Sequence, residues 1–161
     1  MTCSVIQSTL CSTAYSGEKM KSHRKTLILK TERKHEMLNL TSTVGEAVAA
    51  SGIADGIVGV YCQHTTAAVF VSEFQSALVE DLCQFLQRVV EDGLPYKHNS
   101  PEFSDCDRKN AASHLRSVLL NNSVLLPVSN GKPVLGQFQS IILAELDGPR
   151  ERSLELQVLG Q

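Results

Sequence analysis

From Lys25 the run KTLILKTER alternates apolar and polar residues. A period of two puts alternate side chains on opposite faces, so this run predicts a half-buried strand. The segment from His35 to Leu40 continues extended and is expected to be its hairpin partner. The period then changes. In TSTVGEAVAASGI, the apolar residues Val44, Ala47, Val48 and Ala50 recur at helical spacing. Thr41 or Ser42 is placed to cap that helix, and Gly52 stands where a left-handed residue ends one.

IVGVYCQH and AAVFVSE read as two strands flanking His64-Thr65-Thr66. Both are rich in β-branched residues. The first is almost wholly apolar and is expected to be central in its sheet. From about Gln75 to Val90 the residues Leu78, Val79, Leu82, Cys83, Leu86, Val89 and Val90 fall on one face of an amphipathic helix, ended by Asp92-Gly93. Residues 91–110 form the longest irregular stretch. A loop of that length in a small domain is usually functional or disordered, and its histidine, aromatic and polar content favours function. Ala111–Leu120 reads as a short helix. SVLLPV, the long PVLGQFQSIILAEL and SLELQVL read as three strands, with Asn130-Gly131 as a hairpin turn between the first two. Helices lie between runs of strands and do not alternate with them, which predicts an α+β fold with a mostly antiparallel sheet and about three helices.

Residues 1–22 are rich in Ser and Thr and lack a pattern, so they are read as a flexible N-terminal extension of a domain over 23–161. A transit peptide is the other reading, since Glu18 is the only acid, but repeated Arg is missing. The 161 residues suit one domain, with 42% hydrophobic and 20% charged residues. A net charge of -2 offers no basic stripe, and there is no Trp for a stacking platform, which argues against nucleic acid. No run reaches the ~20 apolar residues of a membrane span. A cytoplasmic protein is expected. Five cysteines, Cys3, Cys11, Cys62, Cys83 and Cys106, with no CxxC pair, read as free thiols.

The candidate chemistry centres on His64, His98 and His114, at a strand end, in the long loop and on a helix. Neutral imidazole is a common metal ligand, and three protein ligands plus water make an open catalytic site. No local motif such as HExxH supports this, so three separate structural histidines remain the alternative. His23 and His35 sit beside Lys and Arg and are expected at the surface. Glu145 is placed either to orient a histidine or act as a base, or to end a solvated strand. Arg150 is either a phosphate clamp or an ordinary surface residue. Thr65 and Thr66 are either rim donors or simple strand formers. Asp147 is expected to cap the Gly148-Pro149 turn, Asp107 to cap the following helix, and Gly136 to mark a bulge within its strand. Cys106 lies in the same loop as Asp107.

Six segments occur in order: His64-Thr65-Thr66-Ala67-Ala68, Pro95-Tyr96-Lys97-His98-Asn99, Asn110-Ala111-Ala112-Ser113-His114-Leu115, Pro127-Val128-Ser129-Asn130-Gly131, Leu135-Gly136-Gln137-Phe138-Gln139-Ser140-Ile141 and Glu145-Leu146-Asp147-Gly148-Pro149-Arg150. With these the chain resembles the YjbQ family over about residues 24–159. The resemblance implies a bent, barrel-like antiparallel sheet, a homotrimer, and a pocket near the subunit interface lined by His64, His98 and His114. It implies a divalent metal (zinc or magnesium) or an anion there. Catalytic work is expected of His64, His98, His114, Glu145 and Arg150, and substrate binding of Thr65, Thr66, Asn110 and Gln139. The family is linked with secondary thiamine phosphate synthase activity, a transferase reaction that joins a pyrimidine pyrophosphate to a thiazole phosphate and releases pyrophosphate. Developing negative charge in such a reaction calls for Arg, His and a cation. One departure stands out: where the family carries Asn-Glu-Asn and then an acid, this chain has Ser72-Glu73-Phe74-Gln75. Two functions therefore stay open, an enzyme of small phosphorylated metabolites and a non-catalytic trimeric protein that binds a metal or an anion.

Overall fold

The structure, a computed structural model, describes residues 19–161. The elements run β1 (Lys21–Lys30), β2 (Glu36–Asn39), α1 (Thr41–Ser51), β3 (Gly56–Cys62), β4 (Ala67–Ser72), α2 (Ser76–Val89), a 3-10 turn (Lys97–Asn99), α3 (Ala111–Leu120), β5 (Ser123–Ser129), β6 (Lys132–Pro133), β7 (Ser140–Glu145) and β8 (Glu151–Gly160). The strands form a five-stranded sheet, β1-β8-β3-β5-β6, and a three-stranded sheet, β2-β7-β4, with every pairing antiparallel. Together they curl as a half-barrel, the α+β class that the element order predicts.

Burial follows the layers. Strand β8 alternates, with Leu154, Leu156 and Val158 inward, so the larger sheet buries one face. Those residues pack with Val58 and Val60 of β3, Val44 and Val48 of α1, and Ile141 and Leu143 of β7 in one core. The smaller sheet is buried on both faces. Ile142 and Ala144 of β7 turn the other way, onto Leu86 of α2 and Leu146. That explains why IILA is a continuous apolar run and not an alternating one.

Several sequence expectations change here. Strand β1 pairs with the last strand, Leu27 opposite Leu154, while β2 pairs with β7; the two do not form a hairpin. Sequence adjacency suggested the hairpin, but burying Leu27 against β8 decides the pairing. Strand β1 starts at Lys21, opposite Gly160, so Lys21 and Ser22 pair with β8. The rest of the N-terminal extension, residues 1–18, lies outside the described residues, as do Cys3, Cys11 and the transit-peptide reading. The long C-terminal strand is broken: β6 ends at Pro133, and β7 restarts at Ser140 in the other sheet. Gly136 closes the intervening turn, its N–H donating to Gln139 Oε1 at 2.8 Å, so it marks a turn and not a strand bulge. Asn130 and Gly131 make the expected hairpin, with φ of 51° and 72°.

Helix α1 has Leu40 at its N-cap, with no side-chain cap bond, and Ala50 is exposed. The Thr41 hydroxyl instead accepts from the Ile141 N–H at 3.0 Å, tying the helix start to β7. Gly52 ends the helix at φ 66°, as its position predicts. Helix α2 is capped by Gln75, which accepts from the Leu78 N–H. Of its apolar face only Leu86 is buried within the helix, and Leu78, Phe85 and Val89 face outward. Cys62, Cys83 and Cys106 are free thiols. Among the described residues no helix is long and apolar enough to cross a membrane.

Candidate functional site

The 3-10 turn and α3 bring two histidines together. The Asn99 carboxamide accepts from the Ala111 N–H at 3.0 Å, so the turn carrying His98 is fastened to the start of α3. One helical turn on, His114 meets His98 edge to face, with ring centroids 5.0 Å apart and planes at 85°. That is a favoured arrangement for two rings. The inward face of α3 is polar for a reason visible in its partners. Ser113 donates to the Leu146 carbonyl at 2.6 Å and Ser117 to the Thr65 carbonyl at 2.9 Å. These bonds dock α3 onto the end of β7 and onto the turn after β3, the turn that holds His64.

His114 borders two open clefts. One, about 330 Å³, is shared with Tyr96, Lys97, His98 and Leu115. The other, about 460 Å³, is shared with His64, Thr65, Ser117 and Asn121. His64 and His98 thus flank His114 from two sides, without lining a common cleft. Burial, with the Arg152 guanidinium, lowers the His64 pKa, and burial, with neighbouring His98, lowers that of His114. Both shifts favour the neutral imidazole.

Beside the start of α3, Asp147 gathers three partners. Asn110, buried, donates to it at 2.8 Å; Arg150 reaches it at 2.5 Å; Arg108 stands 3.8 Å away. Arg150 also donates from Nε to the Asp147 carbonyl at 2.9 Å. Much of the fork expected to clamp a phosphate is therefore held by Asp147. Asn110, and not Asp107, is the N-cap residue of α3.

Glu145 departs from both expectations. It is neither a solvated strand end nor a partner of a histidine. It is fully buried, and Arg152 grips it with Nε at 2.6 Å and Nη2 at 2.5 Å. Thr31 and the Asp147 N–H occupy its remaining acceptor positions, at 3.0 and 2.8 Å. Thr66 is likewise buried and not at the rim, its hydroxyl accepting from Arg152 at 3.0 Å. Gln139 folds back on Gly136, as described above, and points to no cleft shared with a histidine. The register Ala67↔Glu145 and Ser72↔Ser140 puts Gln139 and Ser72–Gln75 at the opposite end of β4 and β7 from His64. The separation is about 17 Å at ~3.3 Å per residue.

Two buried arginines escaped the sequence reading. Arg152 had a signal: it precedes Leu154, Leu156 and Val158 with a period of two, which puts it on the inward face. Arg116, on α3, donates to the Val90 carbonyl at the end of α2 and to Asp92, at 2.7 and 2.9 Å. It also donates to His35 Nε2 at 3.3 Å, so His35 is half-buried and not a surface residue. Nothing in the periodicity of α3 marked Arg116. His23 lies on β1, the edge strand, opposite Val158.

Within one chain, His64, His98 and His114 do not converge on a common point. Among the described residues no three His, Cys, Asp or Glu side chains gather closely enough to hold an ion. His64 Nε2 is already 2.8 Å from the Ser153 N–H, whose donation occupies the lone pair a metal would need.

The fold and this site define a small α+β half-barrel protein with histidines around one surface helix. The model of a family described as UPF0047 protein YjbQ-like matches residues 25–161, and the chain belongs to that family. A UPF0047 protein of Methanothermobacter thermautotrophicus is 40% identical over 145 residues, 90% of this chain and 97% of that one. YugU of Bacillus subtilis, another UPF0047 protein, is 31% identical over 136 residues, 84% of this chain and 98% of that one. Among solved structures, a protein of unknown function from Sulfolobus solfataricus superposes with a TM-score of 0.82 at 34% identity, covering 89% of this chain and all of that one (100%). A conserved protein of Clostridium acetobutylicum superposes at 0.75 with 29% identity, covering 83% and 98%.

Proposed function

We propose that the chain is a cytoplasmic homotrimer that binds a small phosphorylated metabolite where the two clefts meet at His114, and that it acts there as a transferase resembling a secondary thiamine phosphate synthase. The observation that carries this reading is the grouping of His98, edge to face with His114, and His64 across the neighbouring cleft, the last two shifted towards the neutral form. A neutral imidazole both donates and accepts, which suits a site that must hold phosphate oxygens and pass a proton. Lys97 lines the His98 cleft, and Arg150 and Arg108 lie beside Asn110 at the start of α3. In the reaction, the methylene carbon on the pyrimidine exchanges its bond to a pyrophosphate oxygen for one to the thiazole nitrogen. Charge collects on the departing pyrophosphate, where fixed N–H donors and cations are most effective. No step is assigned to a metal held by this chain.

Support for the trimer comes from exposed apolar residues on the two surface helices: Phe85 and Val89 on α2, and Val118 and Leu119 on α3, with Val118 79% exposed. A sedimentation mass near the 17.6 kDa of one chain would count against it.

The second reading is binding without catalysis; Ser72, Phe74 and Gln75, at the far end of β4 from His64, do not decide between the two. An assay with both phosphorylated precursors, alongside metal analysis of the purified protein, separates the readings. Product formation that disappears in His114→Ala supports the enzyme. Saturable binding without product supports the second reading, and no binding of either precursor contradicts both.

A further inference from the structure

We infer that His64 is a fixed hydrogen-bond donor, presenting Nδ1–H to an anionic group of the bound metabolite, and is neither a metal ligand nor a base. This deepens the proposed function and rests on it for the identity of the ligand as an anion.

The Ser153 N–H lies 2.8 Å from His64 Nε2. A backbone amide can only donate, so Nε2 must offer its lone pair. A neutral imidazole carries one proton, which then has to sit on Nδ1. A second proton on Nε2 would face the amide hydrogen, donor against donor, so the charged ring loses this bond. Burial and the Arg152 guanidinium disfavour the charged ring as well.

The ring is also held from behind. Ser153 follows Arg152 in β8, and Arg152 reaches both the hydroxyl and the carbonyl of Thr66, at 3.0 and 3.3 Å. The His64 turn and β8 are therefore joined at two points, the imidazole itself and Thr66. Nδ1 has no hydrogen-bond partner among the described residues. No described buried side-chain nitrogen or oxygen lacks one, so Nδ1 is open to solvent. The space His64 borders is the cleft with Thr65, His114, Ser117 and Asn121. A neutral N–H fixed in advance at the edge of a cleft is suited to an oxyanion. While it carries that proton, the same nitrogen cannot ligate a metal.

The test is nitrogen NMR of the full chain labelled with 15N-histidine, the His64 signals being those missing from His64→Gln. Two-bond proton–nitrogen correlations show which ring nitrogen carries hydrogen. At neutral pH we expect His64 protonated on Nδ1 with a bare Nε2, unchanged by added zinc, and an Nδ1 signal that moves on addition of inorganic pyrophosphate. A proton on Nε2, two protons, or loss of the Nδ1 proton to zinc overturns the inference; if His98 and His114 still respond to pyrophosphate, the anion site itself survives. The expected tautomer with no response of any histidine to pyrophosphate overturns both the donor role and the anion reading. Two variants provide a second readout. His64→Asn keeps a donor near the Nδ1 position, and His64→Gln keeps an acceptor near Nε2. We expect His64→Asn to hold pyrophosphate within a few-fold of wild type, and His64→Gln to lose about tenfold or more. The reverse ranking contradicts the inference.

Discussion

Arg152 meets the Glu145 carboxylate with two nitrogens inside the core, Nε at 2.6 Å and Nη2 at 2.5 Å, with neither side chain more than 2% exposed. The pair joins the turn after β7 to the turn that carries His64. Removing one member leaves the other charge buried and alone, a loss of about 3–5 kcal/mol. Arg152→Met and Glu145→Leu should each destabilise by that order, and the double variant by much less than their sum. Urea unfolding of the four proteins measures the coupling. Single variants within about 1 kcal/mol of wild type would show that the pair holds nothing in place.

Acid should unfold the protein in two stages. Burial alone would raise the Glu145 carboxyl, but hydrogen bonds from Arg152, Asp147 N–H and Thr31 outweigh it and hold the pKa below its usual 4.5. Asp92 is also lowered, burial again being outweighed, here by Arg116. An acid depressed in the folded state contributes stability above its unfolded value and loses it as pH falls towards its folded value. His35, His64 and His114 are lowered from 6.5, chiefly by burial, so the unfolded chain binds their protons first and stability starts to fall as pH drops through that value. Thermal midpoints should therefore decline gently below about pH 6.5 and steeply below about pH 4.5. A stability maximum near pH 5 would contradict this.

His114→Ala should separate binding from stability. The ring is half-buried and its edge-to-face contact with His98 contributes only about 0.5–1.5 kcal/mol. Its place between the two clefts makes the binding loss larger, about ten- to a hundredfold in pyrophosphate affinity if one bond to a charged ligand disappears. Calorimetric titration and thermal unfolding of the same variant read the two effects. Loss of stability with affinity intact would assign His114 a structural role.

Truncation should locate the true start of the domain. Residues 21–24 pair with 157–160 along β8, and Ser22 Oγ accepts from Gln157. Deleting residues 1–24 should lower the melting temperature by a few degrees relative to deleting 1–18, at about 2–4 °C per kcal/mol for a chain of this size. Equal melting temperatures would make the first four positions of β1 dispensable.

The elements were legible in the sequence because period and turn chemistry are local. Gly52, Asn130-Gly131 and the alternation of β8 are where the residues predict them. Pairing was less legible: β1 joins β8 across the whole chain, and no local pattern encodes a partner 127 residues away, as Leu27↔Leu154 shows. In the site, His98 and His114 meet through Asn99 and the start of α3, a contact that only the folded loop creates. Glu145 was misread because carboxylates are rarely buried, and the partner that permits it, Arg152, is seven residues on, across a turn. Ser72, Phe74 and Gln139 looked like a pocket wall, yet the register places them together at the far end of the small sheet.

The central claim is that the clefts around His114 bind a phosphorylated small molecule. Titrating the 15N-histidine-labelled chain with inorganic pyrophosphate, and following all five histidines, tests it most directly. His64, His98 and His114 should shift along one saturable curve while His23 and His35 stay still. Absence of saturation, or equal movement of His23 and His35, would contradict it.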